Sequence, residues 1–342
     1  MRLVLLLAAL AALAPLAHAQ TGEGDMLVVL NKGEATAVLV DLASGETVAT
    51  LPTGVGPHEV ALAPDGRTAV VTDYGDQATV GMTLTVLDLV DRSVRATVSM
   101  GAWERPHGAA FLPDGRVVVT AEADSAVAVV DLESGMVSAA PTGGALSHML
   151  ALAGDGRHVF TANMVSGDVS KIDLDGGRLV ATALTGPMTE AVAVRPGGAE
   201  VWAASQDDGR VVVLDAETLD RAGEAAVGGK PIRIAFTPDG RRALVTSVMS
   251  SQLTVLDAGT REVVGVVALP NGPETANAAA QGVPGAASAL PVGVAVSDDG
   301  RRAYVALMGR DQIAEVDLDV LAVTRYLDAG TWPDGIAFVP AR

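Results

Sequence analysis

Cysteine is absent from all 342 residues, which excludes disulfides, thiolate metal sites, cysteine nucleophiles and covalent attachment of a c-type haem. Aromatic residues are scarce at 3%, while apolar residues reach 49%, so Ala, Val, Leu and Gly must fill the interior. Positive charge is short too: 23 Lys and Arg stand against 41 Asp and Glu, a formal charge of −18. That average field repels duplex nucleic acid and anionic lipid, and no basic run offsets it. No nucleic-acid partner is expected. Motifs for phosphate loops, dinucleotide binding and the Gly-x-Ser-x-Gly nucleophile elbow are also missing, so no nucleotide cofactor is expected.

The chain begins like an exported protein. Arg2 precedes an apolar or small run from Leu3 to Ala17, followed by Ala17-His18-Ala19. This is the pattern of a signal peptide (residues 1–19) with cleavage after Ala19, and its apolar run is too short to span a bilayer. The rest, residues 20–342, holds no other stretch of membrane-spanning length. A periplasmic or secreted, monomeric protein without a membrane span is the expectation.

Self-similarity organises those residues. A fixed alanine recurs at Ala61, Ala110, Ala151, Ala193, Ala235, Ala295 and Ala337, with separations of 49, 41, 42, 42, 60 and 42 residues. Three residues after each comes a turn, as in Pro64-Asp65-Gly66, Pro113-Asp114-Gly115 and Pro238-Asp239-Gly240. An aspartate then closes a β-rich stretch: Asp41, Asp88, Asp131, Asp173, Asp215, Asp257 and Asp317. Each unit reads as four short strands, and a period of about 42 residues with four strands means a propeller blade. The last unit stops after one strand, and its missing three lie at Leu27–Leu30, Ala37–Asp41 and Thr47–Leu51. The expected fold is therefore all-β, a single seven-bladed β-propeller whose ring is closed by N-terminal strands, which removes exposed sheet edges.

Two segments, Pro64-Asp65-Gly66-Arg67-Thr68-Ala69-Val70-Val71-Thr72-Asp73 and Thr85-Val86-Leu87-Asp88, resemble the YVTN-type β-propeller repeat family. The resemblance covers nearly all of the chain after the leader. It implies the fold, but the family spans binding proteins, quinoprotein-like subunits and enzymes, so it implies no single function.

Function should lie where the repeats differ. Six residues before each turn stand His58, His107, His148, Glu190, Ile232, Val292 and Asp334. This slot starts the innermost strand, at the mouth of the central channel. Three imidazoles beside the Glu190 carboxylate form a ligand set for Zn, Cu, Fe or Mn, with Asp334 in reserve; inherited polar fillers are the alternative. His158 falls outside the slot and reads as structural. Seven residues beyond each turn glycine comes a second slot: Asp73, Glu122, Asn163, Ser205, Ser247 and Leu307, with Asn31 in the split blade. Asp73 and Glu122 share blades with His58 and His107, so either is a candidate to orient an imidazole or to act as a general base. The alternative is that these residues only cap a loop.

Insertions point to the same face. One lies between Asp73 and Asp88, one between Asp88 and His107, and the longest around Pro270–Ala289. With them come Tyr74, Trp103 and Arg105, which together with Asn163 are the candidate ligand-binding residues. The reading is an exported propeller that holds a divalent transition metal, a small ligand or a periplasmic protein at its channel mouth. A metal-dependent lyase, lactonase-like hydrolase or oxygenase using the same histidines is one alternative, and a metal-free docking scaffold is another.

Overall fold

Valine-rich stretches divided by Asp-Gly and Ser-Gly turns form strands because β-branched side chains pack well on a pleated surface. The structure, a computed structural model, describes residues 24–269 and 288–341. The leader (1–19) and the bulk of the longest insertion lie outside the described residues. Seven antiparallel sheets of four strands each account for nearly everything else. Among the described residues the single helical element is a three-residue 3-10 turn, Glu122–Asp124. Among the described residues no helix is long and apolar enough to cross a membrane.

The innermost strands are Pro57–Leu62, Pro106–Phe111, Ser147–Leu152, Thr189–Val194, Pro231–Phe236, Pro291–Val296 and Pro333–Val339, which we number as blades one to seven. Each packs against the innermost strand of the next blade, and the seventh returns to the first. The seventh blade is composite. Met26–Asn31 pairs with Pro333–Val339 on one side and with Thr36–Asp41 on the other, and Thr47–Pro52 forms the outer edge.

The repeated alanine has a steric role that register makes plain. Ala151 lies opposite Phe160, Ala193 opposite Trp202 and Ala295 opposite Tyr304. These three aromatics are the largest fully buried side chains among the described residues. Directly opposed residues share a face of the sheet, so the small alanine makes room for a large partner on the second strand.

One irregularity is common to all seven blades. The pairing of the innermost strand with the second strand shifts register just after its first residue, at Pro57/Val60, Pro106/Ala109, Ser147/Leu150, Thr189/Ala191, Pro231/Arg233 and Pro291/Val294, and equally in the seventh blade. Such a β-bulge turns the extra residue out of the ladder and re-aims its side chain. The bulged residues are the histidine slot itself, and all seven are buried. The bulges also bind blade to blade: Thr72 Oγ1 donates to the His107 carbonyl at 2.9 Å, Thr120 to that of His148 at 2.6 Å and Thr246 to that of Val292 at 2.8 Å.

Closure of the ring by the N-terminal strands makes one sharp expectation. Deleting residues 25–51 strips Pro333–Val339 of its sheet and bares the neighbouring blades, so the truncated protein should lose its cooperative thermal transition. A truncated protein that melts like the parent would contradict the closure.

Candidate metal centre and channel mouth

Side chains at the bulge converge because the chain approaches each innermost strand through a left-handed residue. Two positions before the slot, Gly56, Arg105, Leu146, Met188, Leu290 and Trp332 have φ of 60°, 54°, 60°, 55°, 45° and 57°. A side chain there costs on the order of 1 kcal/mol or more, and a repeated hydrogen bond holds the conformation. The carbonyl of this residue accepts the N–H of the residue just past the point where the second strand stops pairing with the innermost one: Lys32 to Trp332, Tyr74 to Gly56, Glu122 to Arg105, Met164 to Leu146, Gln206 to Met188 and Met308 to Leu290. In the fifth blade Val248 donates to Lys230 in the same way.

These donors form a second ring above the slot residues. Its polar members are Lys32, Tyr74, Glu122 and Gln206, and each contacts a polar slot residue of its own or an adjacent blade. Lys32 Nζ lies 3.3 Å from His58 Nε2, the Tyr74 ring lies 5.1 Å from the His58 ring at a tilt of 39°, and Gln206 Nε2 donates to the Glu190 carboxylate. Val248 and Met308 instead pack on Ile232 and Val292. The mouth thus has a polar arc over blades seven to four and an apolar side over blades five and six.

This register changes the assignment of Glu122. Counting from the turn glycine sets it level with Asp73, but the turn of blade two is one residue shorter. Ala121 is the residue that pairs with Pro106, as Asp73 pairs with Pro57. Glu122 falls one place further, level with Tyr74, in the 3-10 turn at the mouth. There Tyr74 Oη donates to Glu122 Oε1 at 2.7 Å, and His148 Nδ1 stands 2.6 Å from Glu122 Oε2.

His107, Glu122 and His148 each offer a ligand atom, and these atoms lie within 4.8 Å of one another. Ligands about 2.1 Å from a common tetrahedral metal lie about 3.4 Å apart, so the longest of these separations must close by about 1 Å to bring all three onto one ion. His107 is the centre. It is fully buried between His58, at 4.0 Å between ring centroids, and His148, at 3.6 Å, and neither of its ring nitrogens has a hydrogen-bond partner. Burial, reinforced by the neighbouring imidazoles and by Arg233, holds its pKa well below the ordinary value, so it is neutral and able to ligate. For His148 burial works in the same direction, but the Glu122 and Glu190 carboxylates outweigh it and raise its pKa.

His58 and Glu190 flank this group rather than join it. His58 Nδ1 lies 2.8 Å from Asp334 Oδ2, and burial together with Lys32 lowers its pKa to about 4. Glu190 Oε1 is 3.4 Å from His148 Nε2 and 3.5 Å from Arg233. Arg233 escaped the sequence reading because its slot shows Ile232; the next residue reaches the axis instead. Its guanidinium pairs with Glu59 of blade one and bonds the Ile232 carbonyl at 2.8 Å. An arginine amid the apolar residues of Pro-Ile-Arg-Ile-Ala-Phe was the signal.

The remaining candidates are placed as follows. Asp73 accepts from Thr83, Thr85 and the Gly54 N–H, the contacts of a loop anchor. Asn163 is wholly buried among Ser147, Asp168 and Ser170, also away from the imidazoles. Trp103 packs on the apolar core shared by blades one and two. Tyr74 and Arg105 do line the mouth, with the guanidinium 4.9 Å from the Tyr74 ring centroid. His158 pairs with Asp155 at 2.6 Å in its own turn.

Two outcomes follow from these environments. Burial lifts the Asp73 pKa to about 6 from an ordinary 3.8, against the pull of its threonine donors. A carboxyl that holds its proton more tightly when folded stabilises the fold at low pH and loses that contribution as pH rises through the folded value. Asp73→Asn should therefore raise stability by about 1–3 kcal/mol near neutrality, with no gain near pH 4. Urea midpoints that differ equally at both pH values would contradict this. Arg233→Met leaves Glu59 and Glu190 without their cation and should cost about 3–5 kcal/mol. The Glu59→Gln/Arg233→Met double variant should recover part of the loss in the same assay, and a strictly additive pair would show that the two residues do not interact.

No family model matches the chain, and no curated protein matches it either. Among solved structures it is similar to Kuenenia stuttgartiensis hydrazine synthase, with a TM-score of 0.70 and 17% identity over 87% of this chain and 94% of that one. At that identity the likeness establishes one thing: the chain folds as a β-propeller.

Proposed function

We propose that the protein is an exported propeller of the YVTN type that binds a divalent transition metal through His107, Glu122 and His148 and presents it to a small ligand at the channel mouth. One observation carries the reading: a fully buried imidazole with both nitrogens unpartnered, within reach of a second imidazole and a carboxylate. A buried polar group without a partner costs roughly 1–3 kcal/mol, a cost that an ion removes. The two-nitrogen, one-oxygen set suits Zn, Mn, Fe or Cu and leaves a coordination position for ligand or water. Outer partners of the kind that orient metal ligands are in place, with Tyr74 bonded to Glu122 and Glu190 beside His148. Export is supported by the leader pattern of the first nineteen residues.

Metal analysis of protein purified without a histidine tag tests the proposal. Wild type should retain about one equivalent of Zn, Mn, Fe or Cu near neutral pH, with affinity falling as pH falls because the imidazoles must be neutral. His107→Ala should abolish uptake while His158→Ala leaves it intact, both melting cooperatively. Failure of the wild type to take up any of these metals, or equal uptake by His107→Ala, would overturn the proposal.

A further inference from the structure

Above the imidazoles the mouth opens into a cleft of about 1100 Å³, whose walls come from Lys32, Tyr74, Asp76, Arg105 and Trp332 with the adjoining loops. It is asymmetric, lying over blades seven and one, and the first insertion shapes it. The hairpin Thr68–Gly75/Val80–Asp88 is longer than its counterparts in the other blades, and its tip at Asp76–Ala78 forms one wall. Tyr74 joins the cleft to the metal group: its ring lies 5.5 Å from that of His107 and its hydroxyl bonds Glu122.

The cleft gathers cations that the rest of this acidic molecule has few of. The chain carries a formal −18, and the cleft lining balances Lys32 and Arg105 against Glu34 and Asp76. Glu34 is bonded to Thr331 and the Asp76 carboxylate accepts the Ala78 and Thr79 N–H groups, while Lys32 Nζ and Arg105 Cζ lie 5.9 Å and 4.9 Å from the Tyr74 ring centroid. Most of the other arginines are paired with a carboxylate. Arg105 instead donates to main-chain oxygens, 3.0 Å to that of Asp76 and 3.5 Å to that of Tyr74, leaving guanidinium donors available. Lys32 shares the Asp334 carboxylate with His58, and its side chain keeps 28% exposure toward the cleft mouth. Arg105 is set in place by the left-handed backbone of the mouth motif and not by a salt bridge of its own.

We propose that this cleft binds a small organic carboxylate, its carboxylate group held between the Lys32 ammonium and the Arg105 guanidinium. Arginine's planar fork matches a carboxylate in two hydrogen bonds, and a lysine beside it adds a mobile point charge. A cleft of this volume admits a ring-bearing acid as well as a short chain. The proposal rests on the reading that the channel-mouth face is the ligand face; it does not require the metal.

Calorimetric titration of the intact, chelator-treated protein tests it with two matched pairs of probes: glucuronate against glucose, and benzoate against benzyl alcohol. At least one acid should bind at millimolar concentration or below while its neutral counterpart does not. Arg105→Gln and Lys32→Gln should each weaken that acid by about tenfold or more, while Arg105→Gln retains wild-type melting and metal uptake. No binding by either acid, equal binding of an acid and its neutral counterpart, or an unchanged affinity in Arg105→Gln would overturn the proposal. Acid binding by a wild type that takes up no metal would leave this inference standing and remove the metal reading; metal uptake without acid binding would do the reverse.

Discussion

Everything at the mouth of this propeller depends on one backbone hydrogen bond made seven times. It runs from the N–H of the residue just past the second strand's pairing with the innermost one to the carbonyl two places before the bulge. It pins a left-handed turn, six times on the residue that offers the carbonyl. The bulge that follows turns a side chain out of the ladder and toward the axis. Without the bulge, the strict alternation of a strand would send that residue into the packing between neighbouring blades. With it, seven side chains from distant parts of the chain are brought around one axis. The device is indifferent to residue type. It presents Ile232 and Val292 as readily as His58 and His107, so the repeat supplies geometry and the individual blade supplies chemistry.

Converging buried polar groups are expensive unless they satisfy one another. Here the balance is drawn across blades. Asp334 of blade seven faces His58 of blade one, Glu122 of blade two faces His148 of blade three, and Arg233 of blade five reaches Glu59 and Glu190. Glu59 shows how tight this balance is: burial raises its pKa even with the guanidinium against it. One group stands outside the exchange. His107 sits among rings, with no hydrogen-bond partner for either nitrogen, and the centre of the site is therefore also its least satisfied point. On the apolar side Val248 and Met308 cover Ile232 and Val292, so among the described residues blades five and six present Arg233 as their one polar group at the axis.

The contrast between Asp73 and Glu122 shows how small a sequence change separates a loop anchor from a site residue. Both occupy the same place when counted from the turn. Asp73, opposite Pro57, ends the pairing of its strand with the innermost one, and two threonines and the Gly54 N–H take up its carboxylate. Loss of one residue from the turn of blade two shifts the register, so Ala121 takes the anchor position. Glu122 then continues into a 3-10 turn and reaches His148.

The sequence by itself determined the architecture. The repeated alanine, turn and aspartate specify a blade, and the split last repeat specifies closure, because these patterns record local steric demands that any structure of the chain must meet. It also determined that His58, His107 and His148 share one position, since equal spacing in a repeat means equal placement. Only the tertiary structure decided which carboxylate completes the group, that Arg233 fills the axis where the slot shows isoleucine, and that Trp103 and Asn163 serve packing and loop anchoring. The physical reason is the same in each case. Spacing along the chain fixes position within a blade, but contact between blades depends on one-residue register shifts and on side-chain reach across the axis. Neither leaves a period in the sequence.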